Sequence, residues 1–266
     1  MKTAVLCDDL SAEGQSLADL LSDQADEFFG KVTSFKDWTV HDVMAHLHYS
    51  DYLALLAATD DGAFQQELVS IMTAMGQGVS LIEHTRDWLP EDASGAAILP
   101  RWKATFDDMV GVFRAAPDDA RYNWFGPPMG VAMFATARQM ETWAHGLSLF
   151  DLAGVERTET DRIRNIVVIG CKTFGWTFKN RGQKPPGPMP TLSLTLPSGA
   201  SFEDGDGPDT ISGSAVDFAK VVTQTRNIDD VGLKVQGTVA TDWMAIAQCF
   251  AGPPETPPAA GTRIPA

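Results

Sequence analysis

One long apolar-rich stretch, from about residue 128 to about residue 152, constrains the fold most strongly, because its residue types and spacing predict a single helix. Within it, Glu141 and His145 are four residues apart, so their side chains would lie about 40° apart around the helix axis and about 6 Å from each other. A carboxylate and an imidazole so placed can bind one cation together, provided that a third ligand comes from another segment.

Pairs of an acidic residue and a histidine at helical spacing are frequent in this composition, so this pair is weak evidence by itself. With 35 acidic residues and five histidines, about two or three such pairs are expected by chance. The sequence contains five of them: Asp37/His41, Asp42/His46, His48/Asp51, His84/Asp87 and Glu141/His145. A structural ion pair or a core hydrogen bond is the commoner role of such a pair. A second histidine-bearing helix favours the metal-site interpretation.

That second helix is predicted over residues 40–59. Thr39 followed by Asp42 is typical of a helix N-cap with an acidic residue at the third position, as in a capping box. Trp38 lies just before the cap, at the position of a hydrophobic staple. The start of this helix is therefore predicted from local chemistry alone.

The histidines of this helix are predicted to point in different directions. His46 shares a helical face with apolar residues, namely Val43, Leu47 and Leu53. His48 is rotated by about 200° from it and is expected to face outward, and His41 is expected at the surface. His46 is therefore the candidate third ligand, and the alternative is a core histidine hydrogen-bonded to a neighbour.

The remaining pattern predicts two domains. Further helices are expected at residues 9–30, 63–86 (softened near its glycines) and 100–116, so that four helices can form an antiparallel bundle with 63–86 beside it. After Gly154 come a helix at 158–179, a Pro/Gly linker, and an alternating strand from residue 191, followed by short strands and two more helices. We predict a four-helix bundle over 1–154, a small α+β domain over 155–251 and a flexible Pro/Ala-rich tail over 252–266.

Charge and composition restrict the partners. The net charge of −15 argues against nucleic acid, whose phosphates need a basic face, and gives no reason to expect an anionic membrane surface. Three widely spaced cysteines form no C-x-x-C motif, and no run has the length of a membrane span or the core of a signal peptide. The expectation is a cytoplasmic protein that binds neither nucleic acid nor a membrane.

Two motifs resemble those of the DinB-like metal-binding superfamily, and within it the branch of mycothiol-dependent maleylpyruvate isomerase. The motifs are Trp38-Thr39-Val40-x-Asp42-x-x-x-His46-Leu47 and Arg138-x-x-Glu141-x-Trp143-x-His145. The segments at 211–226 and 232–237 resemble the sterol-carrier-like C-terminal domain of that branch. The resemblance implies that His46, Glu141 and His145 hold a divalent metal, usually taken as zinc, and that Arg226 matches an arginine linked to activity.

The sequence departs from the family pattern at two places. Ser148 stands where members often carry an acidic residue, and Thr225 precedes Arg226 where a Gly-Arg pair is usual. Both departures leave the three metal positions intact, and they leave the substrate and the thiol open. Arg226 could hold a substrate carboxylate in a two-pronged geometry, or it could form a surface or interdomain salt bridge.

Two imidazoles and one carboxylate leave open coordination positions, as in catalytic rather than structural zinc sites. Zn²⁺ is the first expectation, and Ni²⁺ or Fe²⁺ suits the same ligands. Such an ion deprotonates a coordinated thiol, so the resemblance implies an isomerase or transferase that uses mycothiol or glutathione on a small electrophilic substrate, as a monomer or homodimer. The alternatives are a non-catalytic metal- or lipid-binding module and a metal-dependent hydrolase.

Overall fold

Ten α-helices, five short 3₁₀ helices and two small sheets are found in the computed structural model, which describes residues 2–126 and 128–263. The chain divides into two compact units, Met1–Leu149 and Phe150–Ala266. The helices of the first unit are α1 (Thr3–Ser22), α2 (Val40–Thr59), α3 (Asp61–Gly76), α4 (Leu81–Trp88), α5 (Ile98–Ala115) and α6 (Val131–Ala153), which runs on into the second. A short hairpin of β1 (Arg121–Tyr122) and β2 (Met129–Gly130) precedes α6.

The four long helices, α1, α2, α5 and α6, form the bundle, and contacts between them show that the neighbours run antiparallel. For each pair of neighbouring helices, two contacts show the direction: the residue number rises along one helix as it falls along the other. The contacts are Asp8–Arg114 and Gly14–Phe106 for α1 and α5, His48–Thr105 and Asp51–Trp102 for α2 and α5, and His46–His145 and Asp51–Arg138 for α2 and α6. The core between them is aromatic, with Trp102, Phe106, Phe113, Phe134 and Trp143 fully buried. This confirms the predicted four-helix bundle.

The start of α2 is built as its sequence predicts. The Oγ1 of Thr39 accepts a hydrogen bond from the Asp42 backbone N–H at 3.1 Å, and the Asp42 carboxylate accepts one from the Thr39 N–H at 2.9 Å. The same carboxylate is bound by two nitrogens of Arg86, at 2.7 and 2.8 Å. The capping box therefore also fastens α4 to the first turn of α2.

One predicted helix of the first unit is broken in two. The segment 63–86 contains the end of α3 and the start of α4, with Gly78 between them at a φ of 86°, which favours glycine. Ser80 begins α4 with its own capping box to Glu83. The glycines therefore end a helix instead of softening one.

Close approach of α1 and α5 depends on a glycine, and this gives a stability prediction. A Cβ at Gly14 would overlap the buried ring of Phe106. We expect Gly14→Ala to destabilise the protein by about 1–3 kcal/mol, although alanine is the better helix former by about 1 kcal/mol. The matched control is Gly111→Ala on α5, where a Cβ meets nothing within 4 Å and stability should stay equal or rise. Thermal denaturation measures both, and equal losses would contradict the steric argument.

The second unit is a small α+β domain, as predicted. Its helices are α7 (Arg164–Lys172), α8 (Phe174–Lys179), α9 (Ala215–Val222) and α10 (Thr238–Ile246), and its strands are β3 (Pro190–Thr195), β4 (Ser201–Asp204), β5 (Gly207–Ser214) and β6 (Lys234–Gln236). The sheet order is β4-β3-β5-β6, with β3 and β5 parallel and the outer pairs antiparallel. Leu192 and Leu194 are buried between exposed Ser193 and Thr195, which confirms a half-buried strand.

Within residues 252–263, which are predicted to belong to a flexible tail, several backbone groups are hydrogen-bonded to side chains of the second unit. The side chain of Gln248 accepts a hydrogen bond from the Glu255 N–H at 3.0 Å, and the Asn227 amide donates to the Pro258 carbonyl at 2.7 Å. Side-chain amides therefore satisfy the backbone of this segment, and prolines need no partner for an N–H. Residues 264–266 lie outside the described part of the chain.

No helix in the described part of the chain has both the length and the apolar character that crossing a bilayer requires.

Candidate metal centre

Three side chains from two helices converge in the first unit. His46 of α2 and Glu141 and His145 of α6 each offer one ligand atom, and these atoms all lie within 4.8 Å of one another. The Oε2 of Glu141 is 3.6 Å from Nε2 of His46 and 3.3 Å from Nε2 of His145. Within residues 2–126 and 128–263, no other group of three acidic, histidine or cysteine side chains is arranged in this way. The structure thus brings together all three predicted ligands.

The positions of these three side chains depend both on helical spacing within α6 and on the packing of α2 against α6. Glu141 and His145 point the same way because they are one helical turn apart on α6. His46 reaches them because α2 runs antiparallel to α6 at that level, where the two imidazole rings are 4.6 Å apart between centroids. Their side chains are between 12% and 22% exposed, so the cluster is partly accessible from solvent.

The electrostatics of the cluster suit a cation. Burial and the neighbouring His145 lower the pKa of His46 to about 4, so this imidazole is neutral at pH 7. Burial alone would raise the pKa of Glu141, but the two imidazoles and Arg138 hold it well below its ordinary value. A neutral imidazole and an ionised carboxylate are the forms that bind a metal without first losing a proton.

Two buried nitrogens of the cluster provide a test of fit. Nε2 of His46 and Nδ1 of His145 are buried and have no hydrogen-bond partner among the described residues. Buried polar atoms are rarely left in this state, and a cation beside Nε2 of His46 would supply the missing interaction. The donor set, two imidazoles and one carboxylate, is also that of three-ligand zinc sites. The residues present therefore fit a divalent metal, and their role as ligands stays a prediction.

An aromatic turn that the sequence did not assign to the site lies against the two imidazoles. The ring of Trp38 is 5.4 Å from that of His46 and stacks parallel to His145 at 6.1 Å, and Phe35 meets His145 edge-on at 4.9 Å. Lys36 and Asp37 between them have φ values of 51° and 56°, and the Trp38 N–H donates to the Phe35 carbonyl at 2.9 Å. Two consecutive non-glycine residues in this conformation are costly, so the surrounding contacts must hold the turn in place.

The predictions for the other histidines of α2 are corrected by the structure. His48 was expected to face outward, but it is only 7% exposed, with Nε2 3.1 Å from Oγ1 of Thr105 on α5. The prediction was wrong because α2 is covered by α5 on one face and by α6 on another. His41 is half-buried, with Nε2 2.9 Å from the Ala93 carbonyl oxygen.

A buried ion pair that the sequence analysis missed joins α2 and α6 about one helical turn from the cluster. The carboxylate of Asp51 on α2 accepts hydrogen bonds from Nε of Arg138 on α6 at 2.8 Å and from the indole N–H of Trp102 on α5 at 2.9 Å. The sequence showed Asp51 only as one member of a chance pair with His48. No local signal could have found this network, because its members are 51 and 87 residues apart along the chain.

Ser148, one departure from the family motif, and Arg226, which follows the other departure at Thr225, each have defined partners in the structure. Ser148, which stands where an acidic residue is common, donates its hydroxyl to the carbonyl of His145 at 2.8 Å. In the second unit, Arg226 is 6% exposed and donates from one nitrogen to both oxygens of Asp151 at 2.8 Å. Burial raises the pKa of Asp151 against the opposing charge of Arg226. This pair is buried instead of lying at the surface, and the role of Arg226 in activity stays a prediction.

Comparison with known proteins agrees with this geometry. Residues 10–150 match the family model described as "Mycothiol maleylpyruvate isomerase N-terminal domain". Two relatives, "Uncharacterized protein MT0041" and "Uncharacterized protein Rv0036c" from two strains of Mycobacterium tuberculosis, are each 36% identical over 248 residues, which covers 92% of this chain and 95% of theirs.

Solved structures show the same fold at low sequence identity. The crystal structure of the mycothiol-dependent maleylpyruvate isomerase matches with a TM-score of 0.54 and 15% identity, over 83% of this chain and 88% of that one, and a histidine-to-alanine mutant of that enzyme matches equally. At this identity the likeness concerns the fold, whereas the family model and the two relatives concern the sequence itself. The chain therefore belongs to the mycothiol maleylpyruvate isomerase N-terminal domain family, with a four-helix bundle followed by a small α+β domain.

Proposed function

We propose that this protein is a metal-dependent isomerase or transferase that uses a low-molecular-weight thiol on a small electrophilic substrate. The observation that carries the proposal is the convergence of His46, Glu141 and His145 within 4.8 Å of one another. The fold of the mycothiol-dependent maleylpyruvate isomerase supports it. Family membership alone would not support the proposal if these three side chains lay far apart.

The chemistry of such a site follows from its ligands. A divalent ion with only three protein ligands has open positions, and it lowers the pKa of a thiol bound there so that the thiol is nucleophilic near pH 7. Glu141 supplies the negative charge, and His46 is available as a neutral donor because its pKa is about 4. Phe35 and Trp38 cover the imidazoles with apolar surface and restrict water there.

The substrate side of the proposal involves the thiol and an arginine. A thiolate that adds to an activated double bond and is expelled after rotation gives cis–trans isomerisation and regenerates the thiol; a thiolate that stays bonded gives transfer. Arg226 is our candidate for holding a substrate carboxylate, since a guanidinium matches a carboxylate in a bidentate geometry. One nitrogen of Arg226 now donates to both oxygens of Asp151, so a substrate carboxylate would have to replace Asp151.

The proposal is tested by metal analysis combined with a thiol assay. Protein made without a metal-binding tag should contain about one divalent ion per chain, and should isomerise maleylpyruvate or consume an electrophile only when mycothiol or glutathione is added. His145→Ala should lose both the metal and the turnover, whereas His41→Ala, which lies outside the cluster, should keep them. Full metal content in His145→Ala would contradict the proposed site.

The same assay separates the alternatives that the sequence left open. Turnover of an ester or amide without any thiol would indicate a metal-dependent hydrolase. Metal-free protein that purifies with lipid, and is stabilised by it, would indicate a binding module with the bundle as its scaffold. We place the thiol enzyme first because the three ligand-type groups meet in one place and three protein ligands leave open positions on a bound metal.

A further inference from the structure

The buried ion pair between Asp51 and Arg138 lies beside the candidate metal centre. Asp51 is fully buried, and the side chain of Arg138 is 4% exposed. Each oxygen of the Asp51 carboxylate accepts one hydrogen bond, from Nε of Arg138 at 2.8 Å and from Nε1 of Trp102 at 2.9 Å. Nη2 of Arg138 is buried with no hydrogen-bond partner among the described residues. Burial raises the pKa of Asp51, and the Arg138 guanidinium and the Trp102 N–H oppose that rise by favouring the ionised carboxylate.

The two helices that carry the pair also carry the three predicted ligands. Arg138 is three residues before Glu141 on α6, and Asp51 is five residues after His46 on α2, so the pair is about one helical turn from the cluster on both helices. Arg138, Glu141 and His145 are also spaced by three and four residues, so they lie along one face of α6. A charge on Arg138 therefore acts on whatever cation the cluster holds.

The positive charge of Arg138, so close to a candidate cation site, needs a negative charge to balance it. The guanidinium keeps its positive charge at any ordinary pH, and an uncompensated positive charge near a divalent ion would oppose binding in a buried site, where screening is weak. Asp51 cancels that charge at a distance of 2.8 Å. We infer that Asp51 is a positioning residue for the metal centre, which neutralises Arg138 so that the His46/Glu141/His145 cluster can bind a divalent cation.

This inference rests on the proposed metal centre, and it predicts an order of affinities that loss of structure would not produce. Asp51→Asn leaves Arg138 charged, so the affinity for Zn²⁺ should fall by about tenfold or more. Adding Arg138→Met to that variant removes the uncompensated charge, and the affinity should return to within about threefold of wild type. Arg138→Met alone should bind Zn²⁺ at least as tightly as wild type. A pair with a structural role only would weaken Zn²⁺ binding in both single variants, because each leaves an unpaired buried charge, whereas charge compensation predicts a loss in Asp51→Asn and none in Arg138→Met.

The control changes the packing of the same network but no charge. Trp102→Phe removes the second donor to Asp51 and should lower the melting temperature, while the affinity for Zn²⁺ stays within about threefold of wild type. Competition titration of Zn²⁺ against a chromophoric chelator measures affinity, and circular dichroism verifies folding. If Asp51→Asn fails to fold, Arg138→Met and the double variant decide the question.

Two outcomes overturn the inference in distinguishable ways. If wild-type protein binds Zn²⁺ and Arg138→Met or the double variant binds it at least tenfold more weakly, this inference fails and the proposed function stands. If wild-type protein binds no Zn²⁺, the proposed metal centre fails and the inference fails with it. Rescue of Asp51→Asn by Arg138→Met supports charge compensation when Arg138→Met alone also binds Zn²⁺ at least as tightly as wild type, because a purely structural pair would weaken both single variants.

Discussion

The Glu141→Gln variant is expected to lose more than about 100-fold in affinity for a divalent metal, and thiol-dependent turnover with it. Mutation of a residue that only hydrogen-bonds to a metal ligand already lowers metal affinity or activity by about 10–100-fold. Glu141 would be a ligand itself, so the loss should be larger. Glu141 is also the only negatively charged member of the cluster, with a pKa held well below its ordinary value. Glutamine keeps the size and removes the charge, so the loss reports on the carboxylate instead of on packing.

The measurement is a metal titration of the variant beside wild type, together with a thiol-consumption assay at saturating metal. Asp107→Asn is the matched control, because it removes an exposed acid on α5 that pairs with Lys103 far from any ligand group. It should bind metal as wild type does. A Glu141→Gln protein with undiminished affinity and turnover would show that the carboxylate is not a ligand and would leave the two histidines without a metal site.

Local features of this fold were predictable from sequence because the residues that form them are close together in the chain. The start of α2 follows from Thr39 and Asp42, which interact across three residues. The shared direction of Glu141 and His145 follows from one helical turn. A short-range rule is sufficient wherever the interacting groups are neighbours in the chain.

Features that depend on packing between helices were predicted only in part. The helical face of His46 could be identified as apolar, but which helix covers the face of His48 could not, because both sides of α2 are occupied. The Asp51–Arg138 ion pair has no sequence signature at all, since it joins residues 87 positions apart. The alignment of three ligand groups could be expected from the family resemblance, whereas the groups that set their electrostatics became visible only in the structure.

Acid should destabilise the protein through His48, since burial, with the nearby charge of Arg101, lowers its pKa to about 4. Because this is below the ordinary value of about 6.5, the unfolded chain binds a proton more readily than the folded one between these two pH values. The contribution of a neutral His48 to the free energy of unfolding is therefore complete above about pH 6.5, and it is lost as the pH falls toward 4. The total is about 3 kcal/mol, which is a large part of the stability of an ordinary domain.

Urea denaturation of the metal-free protein at pH 7, 6, 5 and 4 measures this dependence, and two variants separate its causes. His48→Gln removes the titrating group, so the free energy of unfolding should depend less on pH, by about one bound proton across this range. Thr105→Val removes the hydrogen-bond partner of His48 and should lower stability at every pH while the slope remains. If His48→Gln keeps the full slope of wild type, the neutral state of this buried imidazole is not what limits stability in acid.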